Sequence, residues 1–432
     1  MRIQPTTRSR FTYLTLLVLP AAITAPMIAG AADGYVLPYA SVESKYNDNW
    51  RLQPDDGGEQ ISALGTFIDL SAQLGARTQR SDISITPRLR SSFFTDSEDD
   101  DRLGTDDRFL DFNAFRDTEK ARYAIAGGYS QESVLTSELD GVDFDDPAED
   151  PGGTGDLNVD NERERIFARP SWTYDFSEQT QFGLAYQFAD VSYDNQLENR
   201  QVDYTDHTLE ASLARDLTER TLLTTRVFGG RFEADQNDNQ TDSLGITFEF
   251  SRRLTERVTG LLLAGAERVE ADFDDPVTGL PMETSDTNAL FGAGLRSDLS
   301  ETTSWLVDVT RSVNPNGTGF VVQRDEFRLG VDHAFGPRLS GSLGARAFRQ
   351  EAVDENVRFN DRDYARLQGE LRWALTETWS LFGAYQYTWQ DREGVINPLT
   401  GMLASEGSAS ANAVIVGIAY QGRLRPGPVT MR

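Results

Sequence analysis

Thr205, Asp206 and His207 place a hydroxyl, a carboxylate and an imidazole at three consecutive positions. Hydrolytic acyl transfer needs those three groups within hydrogen-bond reach of one another. The surrounding stretch alternates as a strand does, and neighbours along a strand point to opposite faces, so the three cannot converge. His207 and His333 are the only histidines and there is no cysteine. A histidine-rich metal cluster and thiol chemistry are therefore both out of reach. The chain reads as a non-enzyme that needs no cofactor, with both histidines as ordinary strand residues.

Two other groups of residues have chemical potential. Residues 135–164 hold Asp140, Asp143, Asp145, Asp146, Glu149, Asp150, Asp156 and Asp160 among prolines and a glycine pair. Ca²⁺ takes roughly six to eight oxygens, and Asp143, Asp145 and Asp146 are the candidates for holding one weakly. Their spacing does not follow an EF-hand loop, and a solvated acidic face is the competing reading. The basic group is Arg88, Arg90, Arg169, Arg226, Arg296, Arg328, Arg346 and Arg372, all on the polar side of alternating segments. Asp69, Glu210, Glu249, Asp308 and Glu370 occupy equivalent sides. Arginine outnumbers acid in this set, although the chain as a whole has 41 basic and 69 acidic residues and a net charge of −28. One reading is a lining that guides an anionic solute. The other is a set of arginine–carboxylate braces.

The elements that would carry these residues are marked by a repeated turn. Phe176-Ser177-Glu178, Leu217-Thr218-Glu219, Leu254-Thr255-Glu256, Leu299-Ser300-Glu301, Phe335-Gly336-Pro337 and Leu375-Thr376-Glu377 open every 36 to 45 residues. Further tight turns fall near Arg77–Arg80 and Asp117–Lys120. Between turns lie two alternating segments separated by a longer acidic stretch. Ile83, Ile85, Pro87, Leu89 and Phe93 share one face of their segment, opposite Ser84, Thr86, Arg88, Arg90 and Ser92. Eighteen such segments can be followed, from 35–44 to 410–422. Short turns alternating with long polar loops are the pattern of a transmembrane antiparallel β-barrel, with the turns periplasmic and the loops extracellular. An even count of eighteen strands leaves both termini in the periplasm.

Bulk properties agree. Arg2, Arg8 and Arg10 precede a mostly apolar stretch ending at Ala29-Gly30-Ala31, which fits a cleaved signal peptide over residues 1–31. A single membrane anchor is the competing reading of that stretch. Residues 32–422 would form the barrel and 423–432 a basic periplasmic tail. Loss of the three leader arginines takes the charge from −28 to −31, which argues against nucleic acid as a partner. A β-propeller would need four short strands per period and carries Gly-His and Trp-Asp signatures that are missing here. A disordered acidic chain would not hold 24 Phe, 14 Tyr and 6 Trp.

The tyrosine-containing first strand followed by Tyr46-Asn47-Asp48-Asn49, together with the Leu-Thr-Glu turns, resembles a family of outer-membrane porins encoded beside exopolysaccharide systems. The strand count and the arginines also resemble the architecture of the alginate exporter. The resemblance implies a Gram-negative outer-membrane channel passing a polysaccharide or another anionic solute. It implies lipid and lipopolysaccharide, the β-barrel assembly machinery and periplasmic export proteins as partners. A non-transporting surface barrel, acting as adhesin or matrix scaffold through its acidic loops with the lumen plugged, is the alternative.

Overall fold

Only an extended backbone sends successive side chains to opposite faces, so a long apolar–polar alternation selects strands. The computed structural model describes residues 32–54, 60–95, 106–140, 161–194, 201–235, 239–274, 281–317, 319–353, 361–392 and 407–422. The expected leader, the tail, and Asp143, Asp145 and Asp146 lie outside the described residues.

The first six strands are β1 (Asp33–Asn47), β2 (Ala63–Arg77), β3 (Ser81–Thr95), β4 (Asp106–Asp117), β5 (Ala121–Ser133) and β6 (Glu162–Ser177). Then come β7 (Thr180–Tyr193), β8 (Tyr204–Thr218), β9 (Thr221–Ala234), β10 (Asn239–Arg253), β11 (Val258–Asp274) and β12 (Pro281–Ser300). The chain continues with β13 (Thr303–Pro315), β14 (Val321–Ala334), β15 (Leu339–Ala352), β16 (Arg362–Ala374), β17 (Trp379–Arg392) and β18 (Gly407–Gln421). A single helix, α1 (Val134–Asp140), stands among the described residues. Each strand pairs antiparallel with its neighbours in sequence, and β1 pairs with β18 as well as with β2. The sheet is a closed eighteen-stranded barrel, so its backbone donors and acceptors are satisfied all the way round.

The two faces of the wall differ as the alternation requires. Leu89 and Phe93 on β3, Leu244 and Phe248 on β10, and Val414 and Val416 on β18 are exposed on the outside, Val416 by 60%. Their neighbours in sequence, including Ser92, Thr247 and Ala413, are buried against the interior. Phe176, Phe335, Trp373 and Trp379 are exposed on the outside beside the short turns.

Those turns have a common chemistry. In the turn before β11, Thr255 Oγ1 accepts from the backbone N–H groups of Arg257 (3.2 Å) and Val258 (3.0 Å). Thr376 Oγ1 does the same for Thr378 (3.2 Å) and Trp379 (3.0 Å). Thr218 and Ser300 each accept from the residue two positions on. A hydroxyl at this position replaces the backbone acceptor that a tight reversal leaves missing. The recurrence of Thr or Ser after Leu or Phe therefore has a local cause. Phe335-Gly336-Pro337 is the exception and uses backbone alone, the Phe335 N–H donating to the Leu339 carbonyl at 2.9 Å.

The end of the barrel carrying these turns is called the turn end below, and the other the loop end. At the loop end the structure departs from the expected boundaries. The strands run further, β1 continuing to Asn47 past the expected 44 and β18 beginning at Gly407 ahead of the expected 410. Ladder pairing continues past the apolar outer band because hydrogen bonding does not depend on it. The region 135–164 is also not all loop, since α1 occupies its start.

Candidate channel interior

Strand parity decides which charged residues face inward, and pairing register decides which of them meet. Arg88 on β3 bonds Asp69 on β2 through Nε at 2.7 Å. Arg90 approaches Glu43 at 3.7 Å and stands over the Phe67 ring at 5.0 Å. Arg226 bonds Glu249 at 2.7 Å and lies 3.8 Å from Glu210. Arg328 bonds Asp308 at 2.9 Å, and Arg346 lies 2.9 Å from Glu326. Arg372 bonds Glu370 at 3.0 Å and covers Phe382. Arg169 and Arg296 have no ion-pair partner among the described residues and sit on other parts of the wall. Six of the eight arginines singled out from sequence are thus ion-paired, and pairing of this kind braces a wall.

Bracing does not account for one row. Register sets Arg328 of β14 directly opposite Arg346 of β15, and Arg346 directly opposite Arg366 of β16. Like charges facing each other across a ladder are destabilising. Glu326 relieves part of this, reaching Arg346 at 2.9 Å and Arg328 at 3.7 Å. Arg366 donates to Gln368 and Gln386 at 3.0 Å each. Next to this row, Arg324, Arg346 and Arg362 gather round a stacked aromatic pair. Phe348 and Tyr364 lie 4.9 Å apart at 19°. Arg324 is 4.6 Å from the Phe348 centroid, and Arg362 is 4.9 Å from that of Tyr364. The ring faces attract guanidinium without neutralising it. Lys45 on β1, buried over Trp50 at 5.0 Å, stands in electrostatic reach of Arg90 and Arg366. The inner wall from β14 round through β18 to β3 is therefore strongly basic.

Sequence reading missed Lys45, Arg324, Arg362, Arg366 and Arg392, which share their strands' inward parity. Arg362 and Arg366 repeat the even positions of Arg372 on β16, so the signal was present.

The loop end of this interior is bridged. Trp50 and Leu52, from the β1–β2 connection, pack with Phe67, Phe94, Leu135, Ala409 and Ala411 inside the barrel. Leu52 takes a positive φ of 47°, a conformation disfavoured for a side chain of its size and held here by that packing. Trp50 donates its indole N–H to the Ala63 carbonyl at 2.9 Å. Val134, at the start of α1, packs instead with Val191, Val202, Tyr204 and Phe232. Val202 N–H donates to the Gly317 carbonyl at 3.0 Å, and Asn239 bonds the Gly319 carbonyl. Four strands separate β8 from β13, so these contacts are made across the mouth. Glu138 of α1 reaches Arg362 at 3.9 Å, although six strands lie between β5 and β16 by the shorter way. At the turn end, by contrast, there is a recess of about 560 Å³ bordered by Asp298, Ser304, Asp332, Ser340, Glu370 and Arg372.

The residues considered for catalysis stay apart. Asp206 faces inward, while Thr205 and His207 take the outer face, where His207 Nδ1 pairs with the Tyr186 hydroxyl at 2.7 Å. His333 sits at the turn end against Thr303.

No family model matches the sequence, and neither does any curated protein. Among solved structures, the chain is similar to the ferric citrate transporter FecA in its unliganded form. The two share 10% identity over 91% of this chain and 79% of that one, with a TM-score of 0.48. It is also similar to Pseudomonas aeruginosa OccK2 (OpdF), at 12% identity over 90% and 98% of the chains, TM-score 0.46. Pseudomonas aeruginosa OpdK with vanillate gives 9% identity over 90% and 99%, TM-score 0.44. At this level the likeness is in the course of the backbone.

Proposed function

We propose that this chain is an outer-membrane β-barrel channel whose basic inner wall conducts an anionic solute, an acidic saccharide or exopolysaccharide among the candidates. The observation that carries the reading is the row Arg328, Arg346 and Arg366, set opposite one another on three adjacent strands. A wall needing only braces would alternate charge along such a row, as Asp308 and Arg328 do one strand earlier. Confined basic side chains select for anions because solvent screens them poorly. The exposed apolar outer band suits lipid, and lipopolysaccharide would meet its loop-end edge. Assembly would then depend on the β-barrel machinery, and a polymer cargo would call for a periplasmic export partner at the turn end. The bridged loop end favours a gated conduit over a permanently open pore. The alternative, a plugged surface barrel acting through its acidic loops, draws on that same bridge.

Changing Arg328, Arg346 and Arg366 together to Gln and measuring reversal potential in a salt gradient tests the reading. Anion-over-cation selectivity should fall while heat-modifiable mobility shows an assembled barrel. An unchanged reversal potential in a less stable barrel would leave these arginines as structural. Orientation is tested separately. A cysteine at Asp274 should react with an impermeant thiol reagent on intact cells, and one at Glu219 should not. Labelling at Glu219 would reverse the assignment of the two ends.

A further inference from the structure

Arg362 is one of the buried cations of the basic wall, and its carboxylate partner comes from outside that wall. It is 8% exposed, and its Nε has no hydrogen-bond partner among the described residues. Arg392 and Arg324 are its like-charged neighbours, and Glu138 is its carboxylate neighbour. Glu138 does not come from the wall. It is carried in by α1, with its side chain 5% exposed, and stands 3.9 Å from Arg362 Nη1. That distance exceeds a hydrogen bond, so attraction alone holds this contact. A buried guanidinium with an idle donor, surrounded by further guanidiniums, is a costly arrangement unless an anion completes it.

From this geometry we infer that Arg362, backed by Arg324 and Arg392, is a carboxylate-binding seat, and that Glu138 occupies it in place of solute. A carboxylate-bearing solute arriving along the basic wall takes the seat, Glu138 is released, and α1 no longer bridges the mouth. The class of ligand follows from the present occupant, since a seat shaped round a side-chain carboxylate accepts another carboxylate. Displacement is favourable because a free carboxylate can approach to bonding distance and reach the idle Nε, while Glu138 is held back by its helix. The apolar anchors Val134 and Leu135, the first two residues of α1, pack into two different clusters and fix where the helix starts. The inference rests on the channel reading above for its transport consequence, but not for binding.

The experiment uses the full-length protein in planar bilayers and, separately, in detergent, with glucuronate as probe and glucose as neutral control. In the unaltered protein, glucuronate should raise conductance and the thermal midpoint, and glucose should do neither. Glu138→Gln should raise conductance without glucuronate and bind glucuronate at least about fivefold more tightly, because the internal competitor is gone. Arg362→Gln should also raise conductance but lose the glucuronate response, and Arg362→Lys should recover part of it. If both Gln variants conduct more yet bind glucuronate as the unaltered protein does, α1 is only a latch and the seat is overturned. If glucuronate binds no more tightly to Glu138→Gln, competition is excluded. Absence of conductance in every variant would reject the channel reading, while the thermal midpoints would still decide whether the seat exists.

Discussion

A single residue in this wall answers to one of two solvents, and the same substitution has opposite costs on the two faces. Val416 is largely exposed on the outer face and Leu381 is exposed beside it. Arginine at either position should destabilise the barrel by about 2–4 kcal/mol where the side chain meets the membrane midplane. Asn113 on β4 is exposed towards the interior, opposite Ser84 and Ala126, and Asn113→Arg should be tolerated. Urea unfolding in detergent micelles, with equal losses at Val416 and Asn113, would show the faces to be misassigned. Inward direction alone is not permission, however. Gln386 also faces inward, but it is 3% exposed and accepts from Arg366 at 3.0 Å. Arginine there would remove an acceptor and add a like charge. That distinction was not legible in the sequence. Parity gives the side on which Gln386 lies, but not its depth or that Arg366 on β16 and Thr388 on its own strand take up its amide. The same limit separates Arg372, which is half open near the turn end, from Arg362, which is sealed beneath α1.

At the scale of elements, the strands and turns were the legible part. The strand periodicity is imposed by the two-sided wall, and each turn carries its own signal in a hydroxyl that accepts from the backbone beyond it. Thr255→Ala and Thr376→Ala should each cost about 0.5–1.5 kcal/mol, the worth of a net hydrogen bond. Ser in place of either Thr should restore most of it. If Ala and Ser variants refold with the same midpoint, the hydroxyl is not what sets these turns. The elements that close the mouth were not legible. α1 spans Val134–Asp140, too short for a helical period to emerge, and its first two residues are buried against different clusters, so no single apolar face marks it. Trp50 and Leu52 likewise sit in a stretch otherwise polar enough to read as loop. What these segments have in common is that their burial is decided across the barrel. A deletion of 134–140 that preserves the barrel should raise conductance, and a barrel that fails to form without it would give α1 a role in assembly.

The molecule as a whole is a ring, and a ring built from one chain has one junction with no peptide connection. Every other neighbouring pair is tied by a turn or a loop, whereas β1 and β18 meet through nine facing residue pairs, from Tyr39 opposite Gln421 to Asn47 opposite Ala413. Hydrogen bonds from the Gly422 N–H to the Pro38 carbonyl at 2.9 Å and from the Asp48 N–H to the Asn412 carbonyl at 3.1 Å extend the junction. Residues 33–37 of β1 run on past that junction, paired with β2. Unzipping here exposes two strand edges at once and costs no stretched linker, so dissociation of the barrel should begin at this line. Its persistence is then a matter of rate, set by how seldom the junction parts, rather than of equilibrium stability summed over the wall. Ser41 and Ala419 are directly opposed and both face inward, and antiparallel partners are about 4.5–5.5 Å apart at Cα, within disulfide reach. Cysteine at both positions would be the only pair in a chain that otherwise has none. Oxidised, that pair should slow heat- and detergent-induced unfolding by far more than it shifts the urea midpoint, and reduction should restore the original rate. An equal tether across β9 and β10, already joined by a short loop, should change the rate little. The lifetime of a folded copy would then be decided at a single seam.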